Sequence, residues 1–95
     1  MADVLNPDAL HHELDRLDGW GGTVKDGISK SFTFDDFAGA MAFVNSVADH
    51  AEQAGHHPDL KISWDTVTVT FITHSVGGVT QDDITQAREI DGLSA

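Results

Sequence analysis

The hydrophobic and polar positions change period several times along the chain, and each change marks an element. Leu10, Leu14 and Leu17 share one helical face. Asn6-Pro7 starts that helix, since Asn is a good N-cap and Pro suits the first helical position. Leu5 and Leu10 have the spacing of a hydrophobic staple, and Gly19 is placed to close the helix in a left-handed conformation. Trp20 to Val24 reads as a short strand weakened by Gly21 and Gly22, followed by the hairpin signal Asp26-Gly27. Ile28, Lys30, Phe32 and Phe34 then alternate with Ser29, Ser31 and Thr33, a strand period. From Asp35 the period turns helical: Phe37, Ala40, Met41, Val44, Val47, Ala48 and Ala51 form an amphipathic stripe that ends near Gly55. Leu60, Ile62 and Trp64 alternate with Lys61 and Ser63, Asp65-Thr66 turns the chain, and Val67, Val69 and Phe71 continue the alternation, so a second hairpin is expected. Gly77-Gly78 breaks the pattern. Thr80 then caps a last helix with Asp83 at capping-box spacing, and Ile84, Ala87 and Ile90 supply its inner face.

The predicted order is α-β-β-α-β-β-α. Two hairpins joined by a long helix make an α+β, two-layer domain: a four-stranded antiparallel sheet with helices packed on one face. The other face, carrying Thr, Ser and Lys, is left to be solvated, concave or used for assembly.

Composition narrows the classes. A chain of 95 residues is expected to form a single domain spanning residues 1–95. No apolar run is long enough for a membrane span, and no charged-then-apolar leader is visible. Cysteine is absent, which removes disulfides and thiolate chemistry, and with the missing leader favours the cytoplasm. Sixteen acidic residues face five basic ones, a formal net charge of −11. Such a surface repels phosphate backbones and anionic headgroups, so neither nucleic acid nor membrane is an expected partner. The acidity reads first as a solubilising surface, and more sharply as adaptation to a salty cytoplasm.

The candidate chemistry lies in the second half of the chain: Glu52, His56, His57, Pro58, Trp64, Thr73, His74, Gly77 and Asp83. There are six histidines. His11, His12 and His50 fall on predicted helices without a partner pattern and read as solvated surface positions. His56 and His57 lie in the break after the long helix, before Pro58, which pushes His57 toward an extended conformation. Neighbouring extended residues point to opposite sides, so the two imidazoles are expected to diverge. Glu52 in the last helical turn faces the negative end of the helix dipole, and a hydrogen bond to one of these histidines is expected to hold it there. His74 ends the last strand, on the face opposite Phe71. Taken one at a time, these residues have plainer readings. A lone loop His is solvated, Trp64 continues the Leu60, Ile62 stripe into the core, Asp83 caps a helix, and Pro58 is a turn device.

Three His and one Glu fit two chemistries. Imidazole and carboxylate suit zinc or non-haem iron. The helical ligand spacing H-E-x-x-H is missing, however, and the adjacent His56-His57 pair is poorly placed to bind one ion with both rings. Metal-free general acid–base catalysis is the preferred alternative, because imidazole gives and takes protons near neutrality.

Glu52-x3-His56-His57-Pro58, then five residues to Trp64, nine to His74 and eight to Asp83, resembles the signature of pterin-4a-carbinolamine dehydratases. The resemblance extends to Gly19-Trp20, Phe32-Thr33-Phe34, the Phe43-containing helix, and Thr73-His74 followed by Gly77-Gly78, which is almost the whole chain. It implies a 4a-hydroxytetrahydropterin substrate that loses water to give the quinonoid dihydropterin, within tetrahydrobiopterin recycling and beside an aromatic amino acid hydroxylase. It also implies no redox cofactor and no metal. By resemblance, His56, His57 and His74 match the three active-site histidines. His56 and His74 are assigned the proton exchange with the hydroxyl and N5, and His57 holds the pterin. Glu52 is expected to orient His56, and Thr73 and Pro58 to contact the substrate. Trp64 and Asp83 match the signature and are assigned structural roles. The family implies a homodimer or homotetramer. Its mammalian branch also serves as a dimerisation cofactor for a homeodomain transcription factor, a partner to which no feature of this sequence points. The alternative is a non-catalytic oligomerisation or assembly partner on the same fold, against which the intact histidine set argues.

Overall fold

The computed structural model describes residues 3–94. Its elements are α1 (Pro7–Asp15), β1 (Gly21–Thr23), β2 (Gly27–Thr33), α2 (Phe37–Ala54), β3 (Asp59–Ser63), β4 (Thr66–Phe71) and α3 (Gln81–Leu93). The order is the expected one, and the fold is α+β. The four strands form one antiparallel sheet in the order β1-β2-β4-β3. The long connection through α2 therefore lays β4 beside β2 and leaves β3 at an edge.

Alternation divides the sheet into two faces. Ile28, Phe32, Val67, Val69 and Phe71 are buried on one. Ala40, Phe43 and Val47 of α2 and Ile84, Ala87 and Ile90 of α3 join them in the core. Leu10, Leu17 and Trp20 close its far side. On the opposite face the register sets hydroxyls across from hydroxyls, Ser31 and Thr68 at 2.8 Å and Thr33 and Thr66 at 3.4 Å.

The helix starts follow their caps. Asn6 Oδ1 accepts from the Ala9 amide at 2.8 Å, and Asp36 Oδ1 accepts from Gly39 at 2.7 Å. Gly55 ends α2 as expected, and does so at φ 69, in the left-handed region. Helix α1 stops earlier than its leucine spacing implies. Arg16 caps it in a right-handed conformation, and Gly19, at φ 82, turns the chain toward β1 instead.

Three packing expectations are corrected. Trp64 is not a core residue but 66% exposed. Ser63 pairs with Thr66, so the two turn residues are Trp64 and Asp65, one position earlier than expected. The turn puts Trp64 at φ 25 and takes it out of the strand alternation that would have turned it inward. The buried stripe of α2 runs through Phe43, with Phe37 exposed. Phe43 packs between the rings of Phe32 and Phe34, at centroid distances of 4.8 and 5.0 Å, and this aromatic cluster sets the rotation of the helix. Lastly, His50 is not a partnerless surface residue. Its Nε2 lies 2.9 Å from Gln86 Oε1 and 3.3 Å from Glu89 Oε1, tying α2 to α3.

Asp91 of α3 makes a further tie that the apolar pattern gave no sign of. Its carboxylate accepts from Trp20 Nε1 at 3.1 Å and from Lys30 Nζ at 2.9 Å. Lys30 also donates to the Asp18 carbonyl at 2.6 Å and lies over the Phe32 ring. This explains how a lysine occupies the helix-covered face of the sheet. The stem is buried there, and the ammonium reaches a carboxylate and a carbonyl at the rim.

Candidate functional site

Four element ends meet at one end of the sheet. Helix α2 stops at Gly55, and Pro58 delivers the chain into β3 at Asp59. Asp59 pairs with Thr70, so the start of β3 lies beside the end of β4. From β4 the chain enters a tight loop pinned by the Thr73 amide donating to the Gly78 carbonyl at 3.0 Å. Gly77, at φ 71, completes that loop, and Thr80 then starts α3.

Three imidazoles gather there, and each meets its own carboxylate. The His56 ring stacks on Phe71 at 5.8 Å with 12° between planes, and its Nε2 donates to Asp83 Oδ1 at 2.6 Å. His57 Nε2 lies 2.9 Å from Glu52 Oε2. His74 Nε2 lies 3.7 Å from Asp59 Oδ2. The environments differ sharply. The Asp83 side chain is 0% and His56 19% exposed, while the side chains of the other two pairs are all more than 60% exposed.

Asp83 is held from several sides. Its Oδ2 accepts from the Thr80 amide at 2.8 Å and from the Thr73 hydroxyl at 2.8 Å; the Thr80 hydroxyl lies 3.4 Å away, longer than a good O–H···O bond. The amide contact is one half of the capping box at the start of α3. A carboxylate in the first helical turn is also favoured by the helix dipole. The helix cap and the histidine partner are thus the same side chain, one oxygen serving each. An ionised carboxylate only accepts, so His56 carries a proton on Nε2, and in the neutral imidazole Nδ1 is then the acceptor.

The expected site residues therefore meet, with different pairings. Glu52 partners His57, and Asp83 takes the place beside His56 that was expected of Glu52. The reason is geometric: His56 turns inward onto Phe71 and toward α3, whereas His57 is directed back over the last turn of α2. The divergence of the two rings is the one expected from Pro58. Thr73 turns its hydroxyl inward to Asp83. Trp64 stands apart, at the other end of the β3–β4 hairpin, a strand's length from the histidines. Asp59 was missed. Only its place after Pro58 marks it in the sequence, and its nearness to His74 depends on the pairing of β3 with β4. A groove of about 580 Å³ lies elsewhere, lined by Pro7, Leu10, His11, Gly22, Thr23, Val24 and Lys25, and includes none of these residues.

The family model described as pterin 4 alpha carbinolamine dehydratase matches residues 3–93. A protein of Thermosynechococcus vestitus named "Putative pterin-4-alpha-carbinolamine dehydratase" is 52% identical over 94 residues, covering 99% of this chain and 98% of its own. One of the same name from Mycobacterium avium is 43% identical over 90 residues, covering 95% of each. The crystal structure of a transcriptional coactivator/pterin dehydratase from Brucella melitensis superposes with a TM-score of 0.91 at 35% identity, over 98% of this chain and 100% of that one. A pterin dehydratase-like protein identified as a RuBisCO assembly factor in the alpha-carboxysome shares the fold, with a TM-score of 0.65 at 23% identity, over 80% of this chain and 87% of that one.

Proposed function

Because the chain belongs to the pterin 4 alpha carbinolamine dehydratase family, we propose that it removes water from a 4a-hydroxytetrahydropterin by histidine general acid–base catalysis. The observation that carries this reading is the placement of His56, His57 and His74 on chain segments at one end of the sheet, each beside a carboxylate.

Dehydration requires a proton delivered to the C4a hydroxyl, which leaves as water, and a proton withdrawn from N5 as the C4a–N5 double bond forms. No electron changes hands, so the reaction calls for acid–base groups alone. His56 and His74 are assigned these transfers. In neutral His56 the nitrogen turned away from Asp83, Nδ1, suits proton withdrawal, and the exposed ring of His74 is open to a substrate. His57, held by Glu52, contacts the pterin beside Pro58. The pocket side of this assignment is the shared ring system, which fits tetrahydrobiopterin and other tetrahydropterins alike. A homodimer or homotetramer in the cytoplasm, supplied by an aromatic amino acid hydroxylase, completes the proposal.

The test is the dehydration rate of freshly generated 4a-hydroxytetrahydropterin with chelator present, for the wild type and for His56→Ala and His74→Ala. Strong acceleration by the wild type, reduced roughly 10²–10⁴-fold in each variant, supports the reading. Folded wild-type protein that leaves the rate unchanged overturns it, in favour of a non-catalytic assembly role on this fold.

A further inference from the structure

Thr73 has no free hydrogen-bonding proton to offer a ligand. Its Oγ1 lies 2.8 Å from Asp83 Oδ2 and 2.8 Å from Thr80 Oγ1. A hydroxyl has one proton, and a carboxylate only accepts. The Thr73 proton therefore goes to Asp83, and Thr80 donates its own to Thr73. The main chain of Thr73 is equally occupied. Its amide donates to the Gly78 carbonyl at 3.0 Å, and its carbonyl accepts from Val76 at 3.2 Å and Gly77 at 3.0 Å.

We infer that Thr73 is a positioning residue: its hydroxyl fixes the Asp83 carboxylate, and through Asp83 the His56 imidazole, rather than touching the substrate. With Oδ2 filled by the Thr80 amide and the Thr73 hydroxyl, the carboxylate cannot rotate without breaking a bond at a fully buried site. Oδ1 is then aimed at His56 Nε2, which sets both the ring orientation and the nitrogen that carries the proton. Thr73 also precedes His74 in the chain. The same hydroxyl thus anchors the loop bearing His74 to the carboxylate that holds His56, so one contact sets the relation between the two histidines. Their separation matters because acid and base must address groups on the adjacent C4a and N5 atoms of one substrate.

The rate arm of the test rests on the dehydratase reading, and the spectroscopic arm does not. Thr73→Val removes the hydroxyl at nearly constant volume, and Thr73→Ser keeps it. Thr73→Val is expected to lower kcat by about ten- to a hundredfold, with KM within about twofold of wild type. In substrate-free protein it is also expected to shift the His56 ring-nitrogen resonances away from a single Nε2–H tautomer. Thr73→Ser restores both. A raised KM with unchanged kcat and unchanged His56 signals would make Thr73 a substrate contact and overturn the inference. So would a folded Thr73→Val protein with wild-type rates and spectrum. If wild-type protein shows no dehydration, the functional reading falls and the His56 spectra alone decide the role of Thr73. Should Thr73→Val fail to fold, Thr73→Ala supplies the same two readouts.

Discussion

His56 and Asp83 stand 27 positions apart in the chain and meet at 2.6 Å, the imidazole over Phe71 and the carboxylate fully buried at the first turn of α3. The contact joins the end of α2 to the start of α3 beneath the exposed histidines. Asp83→Ala removes a helix cap and strips His56, Thr73 and Thr80 of their common acceptor. The expected loss of stability is about 2–4 kcal/mol, read from urea unfolding. Asp83→Asn retains the shape and some of the bonds and is expected to lose less stability while still slowing dehydration. An Asp83→Ala protein as stable as wild type would remove Asp83 from the structural role.

The two outer pairs separate activity from stability. The side chains of His57, Glu52, His74 and Asp59 are all mostly exposed. Exposed pairs contribute little to folding, so Glu52→Gln and Asp59→Asn are expected to change stability by no more than about 0.5 kcal/mol. Dehydration rates per folded molecule are expected to fall in both, since each removes the charge beside a site histidine. Melting curves and initial rates on the same samples make the comparison. A large loss of stability with unchanged rates would reverse the assignment.

Asp91 makes the opposite prediction. It binds Trp20 and Lys30 well away from the histidines in sequence, at the rim of the core. Asp91→Ala leaves a partly buried ammonium and an indole N–H without their acceptor. The expected cost is about 1–3 kcal/mol, lowering the denaturation midpoint with little change in activity of the folded fraction. Indole fluorescence in a Trp64→Phe background, where Trp20 is the sole indole, follows the loss. Equal stability of Asp91→Ala and wild type would show that Lys30 finds sufficient compensation in the Asp18 carbonyl.

Trp64 occupies a turn position that its side chain does not favour. At φ 25 an Asn or Gly is better suited than a large aromatic. Trp64→Asn is expected to leave monomer stability unchanged or raise it by about 0.5 kcal/mol. Were Trp64 part of the core, the same change would instead cost about 3–5 kcal/mol. Chemical unfolding at low protein concentration distinguishes the two.

The acidic surface supplies one further measurement. With a net charge of −11 on 95 residues, mutual repulsion opposes the compact state, and salt screens it. The melting temperature is expected to rise modestly from low to molar potassium chloride. Unfolding in low salt would identify adaptation to a salty cytoplasm, and indifference to salt would exclude it.

Local chemistry was enough to lay out the elements. Asn6-Pro7, the alternation from Ile28 to Phe34, Gly55 and the Thr80–Asp83 spacing each act within a few residues, and each does in the structure what its chemistry dictates. The motif positions, too, were all legible as candidates before any coordinates. Pairing was different. Whether Glu52 or Asp83 serves His56 depends on where α3 lies against the end of α2, which no neighbouring residue encodes. Asp59 reaches His74 only because β3 pairs with β4 in one register. Trp64 was misread because a shift of one turn residue decides whether a side chain continues a strand face or leaves it. His50, Lys30 and Asp91 found partners on other elements for the same reason. The sequence by itself determined the elements and the chemical groups available, since these follow from short-range sterics and periodicity. The tertiary packing alone decided which acid meets which histidine, since that contact is made across the core by residues far apart in the chain.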